Sequence, residues 1–482
     1  MEPHETKSVR LGKLSDLKAK GITNPYGGKF DHTDSIAVIL SQFLDGKVVS
    51  VAGRIVANRK HGKVFFVDLQ DQSGKIQLYI KADHAGEKTL DIVHDLDIGD
   101  IIGVKGELFK THMGQESIRV KELTVLSKSL MTLPEKWHGL KDVEIRYRQR
   151  YVDLIANPEV RQLFIKRTKI VSAIRAFLDA KGFLEVETPM LQPIAGGARG
   201  KPFKSVHNAY DMEVFLRIAP ELYLKRLLVG GLEKVYEMNR NFRNEGISTR
   251  HNPEFTMMEV YQAYADYEDM MKLTEELICE LVNKLNGSYK MNYQGKEIDF
   301  TPPWQRRSFA KTIKEKFDID STDDAATMLK KVKAKKNVAL TDKLTRSAVM
   351  KIVEELLEED ATVNPIFFVD YFTFLSPLAK TKKDDPSIAE RFELFIGGME
   401  VGNAYSELND PEEQRKRLLD DLADDVETGN RAIDEDFVHA LEYGMPPAGG
   451  LGIGIDRLVM LLTDAASIRD VILFPLLKPA QK

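Results

Sequence analysis

Arg243 and Glu245 stand two residues apart in a stretch, 235–261, that reads VYEMNRNFRNEGISTRHNPEFTMMEVY. On an extended chain, residues two apart share a face. A guanidinium there would fork onto a phosphate or carboxylate, and the glutamate would accept from an exocyclic amine. Phe255 follows with a ring on which a base can stack, and Arg240, Arg250 and His251 crowd the same segment. A second chemical stretch, 391–410, reads RFELFIGGMEVGNAYSELND and places Glu393, Glu400 and Glu407 at intervals of seven. Carboxylates set among Phe, Leu and Ile are costly to bury unless a cation or metal meets them. One or two such carboxylates beside substrate phosphates suit Mg²⁺. A third stretch, 446–462, reads PPAGGLGIGIDRLVMLL and ends its glycine-rich turn on Asp456 and Arg457. Glycines there let backbone come close to a ligand, but the spacing and the missing lysine match neither a dinucleotide fingerprint nor a Walker loop. The first two stretches also have plainer readings, a charged surface hairpin and an exposed acidic hairpin.

The elements that must hold these groups are legible too. Val, Tyr and Phe favour strands, while Asn-Glu-Gly and His-Asn-Pro are turn chemistry, so 235–261 is expected to be strand, long loop, strand. Glu259 and Tyr261 then share a strand face. Residues 392–396 with Gly397-Gly398 read as strand and turn. Residues 216–221 read as a strand ending in Glu221, which needs a cation if buried; an exposed helix-start glutamate after Pro220 is the alternative. Ile170, Val171, Ile174, Phe177 and Leu178 form one apolar stripe of a helix over 163–180. Gly182 closes it, before a short strand at 183–186 and Pro189. Gly196, Gly197 and Ala198 make a flexible turn. Further helices are expected at 264–285, 325–332 and 347–358, and a strand at 366–374.

Upstream, five short β-branched runs stand at 48–55, 64–69, 76–80, 101–106 and 118–125, with a helical interruption at 83–97 between the third and fourth. That is the pattern of an OB barrel. Arg54, Arg59, Lys60, His61 and Lys63 cluster near its first hairpin, and Phe65 and Phe66 follow. By alternation one ring faces inward and the other outward. Such faces bind single-stranded nucleic acid; a solvated basic turn beside core phenylalanines is the plainer reading. The expected organisation is α+β: a polar, partly helical segment 1–46 with short helices at 14–20 and 35–44, a barrel 47–128, a linker 129–150, and a large domain 151–482 with a helical insertion at about 286–360.

Composition narrows the classes. A length of 482 residues, 43% hydrophobic and 30% charged, describes a globular protein of several domains. A net charge of −5 excludes a globally basic nucleic-acid binder, so any RNA surface is a local patch. The single cysteine, Cys279, excludes intramolecular disulfides and cysteine-rich zinc sites, and its apolar run reads as a buried inert thiol. No run of 18 apolar residues predicts a membrane span. The N-terminus lacks the apolar core of a signal peptide, so a cytoplasmic location is expected.

The chemical stretches also carry a family resemblance. Phe242-Arg243-Asn244-Glu245 with His251-Asn252-Pro253-Glu254-Phe255 resembles motif 2 of the class II aminoacyl-tRNA synthetases. Gly450-Leu451-Gly452-Ile453-Gly454-Ile455-Asp456-Arg457 resembles their motif 3, and the helix at 163–180 with Gly182, Phe183 and Pro189 resembles motif 1. The order matches, and the resemblance covers 47–478. An OB domain ahead of the catalytic stretch narrows it to subclass IIb, the lysyl, aspartyl and asparaginyl group. The string RYRQRYVDL at 146–154 is similar to the lysyl members. Glu221, Glu259 and Glu407 also suit a substrate with two ammonium groups better than an acidic one.

The resemblance implies a five-stranded OB β-barrel followed by a class II catalytic domain on an antiparallel sheet flanked by helices. It implies lysine–tRNA ligase chemistry, with ATP, L-lysine and tRNA(Lys) as partners, Mg²⁺ as cofactor and a homodimer through the motif 1 region. Arg243 and Arg457 would be catalytic, Arg243 on the α-phosphate and the amino-acid carboxylate. Glu245 would accept from the adenine amine, Phe255 and Arg457 would sandwich the ring, and His251 would touch the outer phosphates, with Asn252 and Gly454 beside the nucleotide. Glu393 and Glu400 would hold Mg²⁺. Gly197 and Glu221 would take the α-amino group, and Tyr261 and Glu407 the ε-ammonium, with Glu259, Asn403 and Tyr405 nearby. Tyr405 departs from the Phe that bacterial relatives often carry there. Phe66 would stack on an anticodon base while Gln77 and Glu116 read its edge. Two rivals remain: a paralogue that lysylates a protein, whose known forms lack the OB domain, and a non-catalytic RNA-binding relative, which would lose Arg243 and Arg457.

Overall fold

The computed structural model describes residues 3–134, 140–338, 344–359, 362–424 and 432–479. The chain divides into two units, Met1–Lys141 and Asp142–Lys482. Parts of the expected linker (135–139), the last residue of the acidic run expected at 354–360, and the extreme ends lie outside the described residues. Among the described residues no helix is long and apolar enough to cross a membrane.

In the first unit, helices Pro3–Ala19 and Ile36–Ser41 precede a closed barrel. Its strands are β1 (Val48–His61), β2 (Val64–Gln70), β3 (Lys75–Lys81), β4 (Ile101–Lys110) and β5 (Glu116–Ser127), ordered β1-β2-β3-β5-β4. Every second residue points inward: Val49 and Val51, Val67 and Leu69, Ile76, Leu78 and Ile80, Ile118 and Val120 are all buried in one core. That period of two is what made the strands readable. The expected single helix between β3 and β4 is two, Ala82–Ala85 and Glu87–His94, parted by Gly86 at φ +80°. The first helix begins well before the expected 14–20. Tertiary contacts account for this: Arg10 donates to the carbonyls of Ile98, Ser129 and Met131, and Leu17 is buried.

The second unit is built on an eight-stranded sheet. In chain order its strands and their neighbours are β6 (Leu184–Glu185), β7 (Leu191–Gln192), β8 (Phe203–His207), β9 (Met212–Leu216), β10 (Lys234–Phe242), β11 (Glu254–Ala263), β12 (Lys290–Tyr293), β13 (Lys296–Asp299), β14 (Gln305–Ser308), β15 (Ile366–Phe372), β16 (Ile388–Ile396), β17 (Met399–Ser406) and β18 (Ala448–Gly454). The large sheet runs β14-β15-β16-β17-β18-β11-β10-β6, with β7-β9-β8 and β12-β13 as small separate sheets. Its interior pairs are antiparallel; only the edge pairs β14–β15 and β10–β6 are parallel.

One face of this sheet is apolar. Tyr236 and Met238 of β10, Met258 and Val260 of β11, and Leu451 and Ile453 of β18 join helices Pro158–Ala180, Tyr267–Asn286 and Ile455–Thr463 in one core. The alternate residues therefore point the other way, and among them are Phe255, Glu259, Tyr261, Gly450 and Gly452. The same backbone alternation that buries the core aims the polar groups at the opposite face. Cys279 belongs to the core, where burial pushes its thiol up to about 11, as suits an inert side chain.

Several expectations need correction. Arg243 and Glu245 are not on a strand, because β10 ends at Phe242; they open the loop that follows. Glu221 does not end a strand: β9 stops at Leu216, and Glu221 begins the helix Glu221–Val229 behind Pro220. It is nevertheless buried, unlike the exposed helix-start glutamate of the alternative reading. Within the stretch expected as a helical insertion, the hairpin β12–β13 and strand β14 precede helix Phe309–Phe317, and helices Pro411–Asp424 and Glu435–Glu442 were not anticipated.

Candidate functional site

A cavity of about 430 Å³ opens on the polar face of the sheet. Phe255, Glu259 and Tyr261 reach it from β11; Glu400, Asn403 and Tyr405 from β17, with Glu407 just beyond; and Gly454 from β18. The loop after β10 adds Arg243, Glu245, His251 and Asn252, and the loop between β7 and β8 adds Gly197. Glu221 and Arg457 enter from the first turns of their helices. The volume falls within the range of small-molecule sites.

One end of the cavity is acidic. Glu221, Glu259 and Glu407 come from three separate elements, and all are buried. A chain lysine, Lys225, lies behind them, with Nζ 2.7 Å from Glu221 Oε1 and 2.5 Å from Glu407 Oε2. The Tyr405 hydroxyl donates to Glu221 Oε1 at 2.6 Å, and that of Tyr261 to Glu259 Oε2 at 3.0 Å. Glu407 Oε1 finds no hydrogen-bond partner among the described residues. Burial, followed by the charge of Glu221, pushes the Glu259 carboxyl up to about 8. Burial also raises Glu407 well above the carboxylate range, although Lys225 pulls the other way. Such an end holds more negative charge than it can neutralise itself, which is a demand for cationic ligand.

Close backbone approach makes this packing possible. A Cβ on Gly450 would stand 1.8 Å from Glu407 Oε1 and 2.7 Å from a ring carbon of Tyr261. Gly197, at φ +84°, would bring a Cβ within 3.1 Å of the Glu221 side chain. Only glycine fits at either position.

The other end carries arginines. The guanidinium of Arg243 lies 5.2 Å from the Phe255 ring centroid, and its buried Nε has no hydrogen-bond partner among the described residues. Burial lowers its pKa somewhat, against the charges of Glu245 and Glu400. Arg457 donates from Nη1 to the Glu400 carbonyl at 2.8 Å and from Nη2 to His251 Nε2 at 3.0 Å. Accepting at Nε2 leaves the His251 proton on Nδ1, facing Ser248 Oγ at 2.9 Å. Burial and then the Arg457 charge lower the His251 pKa, in agreement with a neutral ring. Asn252 is buried, with its amide nitrogen on the Glu254 carbonyl and its oxygen unpartnered among the described residues.

Glu393 does not reach the cavity wall. Arg391 holds one of its oxygens, and the Tyr371 hydroxyl donates to the other at 2.7 Å. Glu400 lies on the wall with Oε2 3.2 Å from Arg457 Nη1. Burial first, and then the Glu393 charge, raise the pKa of Glu354, on helix Arg346–Glu359. Carboxylates are the ligand type of a hard divalent cation, but Glu393 and Glu400 are each paired with an arginine, and no group of three acidic, histidine or cysteine ligands converges among the described residues.

In the barrel unit, Phe65 is buried and Phe66 faces out, as alternation requires. Phe66, Tyr79 and Phe109 form an outer row with ring centroids 5.6 and 5.5 Å apart, and the Arg119 guanidinium lies 4.6 Å over Phe109. Gln77 accepts from Ser117 Oγ at 3.1 Å on the same sheet face, and Glu116 lies 3.4 Å from Lys110. Rings and cations so arranged make a stacking platform.

Reading by sequence missed Lys225, Arg391 and Gly450. Arg391 lines the cavity and donates to Asn403 Oδ1 at 3.0 Å. Lys225 was findable: it stands four residues after Glu221, the ion-pair spacing of a helix, and was hidden only because Glu221 was read as a strand end. Gly450 lay in a motif already noted, but its contact with Glu407 is purely tertiary.

Comparison with known proteins agrees with this geometry. Residues 142–478 match the model of tRNA synthetases class II (D, K and N), and residues 49–126 match the OB-fold nucleic acid binding domain. A lysine–tRNA ligase of Carboxydothermus hydrogenoformans is 56% identical over 483 residues, covering 99% of each chain. Lysine–tRNA ligases of Pelotomaculum thermopropionicum and Moorella thermoacetica are 54% and 52% identical over 99% of this chain and 96% and 99% of theirs. A family model spanning the whole catalytic unit, with relatives this similar end to end, places the chain among the class II tRNA synthetases of the D, K and N group.

Proposed function

We propose that the chain is a lysine–tRNA ligase. It activates L-lysine with ATP to lysyl-adenylate and pyrophosphate, then transfers the lysyl group to the 3′-terminal ribose of tRNA(Lys), releasing AMP. The observation that carries this reading is the lining of one cavity, which holds three buried acids and an arginine with an unsatisfied guanidinium nitrogen. Lysine fits it with its ε-ammonium toward Glu407 and its α-carbon, which bears both the α-amino group and the carboxylate, between Glu221 and Arg243. Its carboxylate is already an anion, so attack on the α-phosphate needs no general base. Catalysis is alignment together with charge neutralisation as pyrophosphate leaves.

In this reading Glu221 and Gly197 take the α-amino group, and Glu407 and Tyr261 the ε-ammonium, with Glu259, Asn403 and Tyr405 closing the pocket. Arg243 draws lysine carboxylate and α-phosphate together. Phe255 and Arg457 enclose the adenine, Glu245 accepts from its amine, and His251, Asn252 and Gly454 border the phosphates. Glu400 on the wall, with Glu393 behind it, would hold Mg²⁺, which would supply charge neutralisation for the phosphates. Residues 47–128 form the anticodon-binding domain, 129–150 the linker and 151–482 the catalytic domain with its insertion at about 286–360. The protein works in the cytoplasm as a homodimer joined through the motif 1 region. ATP–pyrophosphate exchange with each of the twenty amino acids tests the activity: lysine should drive exchange, and a chain that activates another amino acid, or none, has a different function.

Two substitutions probe separate parts. Phe66→Ala should raise the KM for tRNA by about 5- to 100-fold, the worth of one base stacked on an aromatic ring, while lysine-dependent pyrophosphate exchange stays unchanged. An unchanged tRNA KM would remove Phe66 from the anticodon site. Gly450→Ala forces Glu407 aside, at an overpacking cost of about 1–3 kcal/mol. It should raise the lysine KM with little change in that for ATP, measured in the same exchange assay.

A further inference from the structure

Lys225 is buried to the last atom, and it does not line the cavity. The two acids it touches, Glu221 and Glu407, both do. The rings of Tyr405 and Phe437 lie 5.5 and 5.9 Å from its Nζ. Arg226, the next residue on the helix, is turned away to Asp434 at 2.7 Å and Asp436 at 3.1 Å. From β11 the groups facing the same acids are Glu259 and Tyr261, and from β17 Tyr405. Behind Glu259, Arg217 is already committed to Glu237 at 2.6 Å. Lys225 is therefore the one cation ion-paired with any of the three cavity acids among the described residues, and it holds two of them, Glu221 and Glu407.

When all three acids are ionised, as a bound dication favours, three carboxylates against one ammonium leave two negative charges. A ligand with two ammonium groups, its own carboxylate held by Arg243, cancels them. A ligand with one ammonium leaves one acid to be neutralised by a proton instead and forgoes that ion pair. Without Lys225 the excess would be three, and lysine itself would leave one over. We propose that Lys225 is a positioning residue for amino-acid selection: acting through Glu221 and Glu407, it fixes the acid end at a charge that a diammonium amino acid neutralises. This rests on the reading of lysine as the substrate.

In the empty cavity the charge is smaller, because protons stand in for the ligand's ammonium groups. Burial opposes the charge on Lys225, but Glu221 and Glu407 outweigh it and its pKa rises, so the ammonium persists. With the cavity empty, Glu259 holds its proton to about pH 8. A dication favours the ionised carboxylate, so lysine binding releases a proton below that pH and tightens as pH rises to about 8, levelling above it. Removing Lys225 takes away the charge that keeps the acids ionised, and their protons are then held to higher pH.

The test is the lysine KM and the ATP KM in pyrophosphate exchange, from pH 6.5 to 9, for the wild type and Lys225→Gln, with each lysine KM expressed per lysine whose α-amino group is protonated. The expected result is a lysine KM raised at least about tenfold at pH 7, an ATP KM within about twofold, and a lysine KM still falling at pH 9 where the wild type has levelled. A lysine KM raised equally at every pH, or an ATP KM raised with it, marks a merely structural residue and overturns the proposal, as does no change at all. If Lys225→Gln is unfolded by circular dichroism, Lys225→Arg keeps the positive charge between the two acids. It should fold and keep the wild-type pH profile of the lysine KM; failure on either count overturns the proposal. Wild-type protein without lysine-dependent exchange would instead sink the functional reading.

Discussion

Arg243→Ala should lower lysine-dependent pyrophosphate exchange by about 10³-fold, the scale of losing a preorganised cation at a transferring phosphoryl group. In the proposed reading Arg243 brings the two reacting anions together; it lies 5.2 Å from the Phe255 ring centroid, and its buried Nε has no hydrogen-bond partner among the described residues. Its guanidinium is therefore held in a desolvated place without the neutralising bond a structural arginine would make. By comparison, Arg150 is fully buried but pairs with Asp153 at 2.5 Å and donates to the carbonyl oxygens of Leu473 and Arg469. The loss should fall on kcat and on the KM of both substrates, because the side chain serves both. A variant retaining wild-type exchange would show that another cation does this work.

Glu407→Gln should raise the lysine KM by about 10²-fold and leave the ATP KM within about twofold. Truncating one partner of a buried charge pair costs about 2–5 kcal/mol. The amide keeps the shape and removes only the charge. One Glu407 oxygen meets Lys225 while the other is unpartnered among the described residues and rests against Gly450, so its free valence is available to a ligand ammonium. The variant also leaves Lys225 with Glu221 alone, so stability should be checked by thermal unfolding. Equal loss of affinity for lysine and ATP would remove Glu407 from the amino-acid site.

Much of this was legible in the chain because its signals are local. The barrel announces itself through period-two burial: Ile76, Leu78 and Ile80 are core, and Gln77 and Tyr79 face out. The strand–loop–strand at 235–261 follows from turn chemistry between two β-favouring runs, and the register Glu237↔Glu259 confirms the pairing. The acid end was half-legible. Glu221, Glu259 and Glu407 could be named, and the requirement that a buried Glu221 meet a cation is satisfied by Lys225. That this cation belongs to the chain itself was not visible, since reading 216–221 as a strand broke the helical spacing that links the two residues. Glu393 shows the opposite failure. Its spacing from Glu400 is local, but its side-chain direction is set by Arg391 and Tyr371, and Tyr371 is 22 residues away in the chain. The helices at Pro411–Asp424 and Glu435–Glu442 left weaker marks, since polar residues dominate the first and the second spans only eight positions.

The paired ends of the cavity are the core of the account, and a crystal structure with L-lysine and a non-hydrolysable ATP analogue tests them most directly. The ε-ammonium should lie within hydrogen-bond distance of Glu407, the α-amino group of Glu221, and the carboxylate of Arg243, beside the α-phosphate. Lysine bound outside this cavity, or inside it with its carboxylate toward the three acids, would contradict the account.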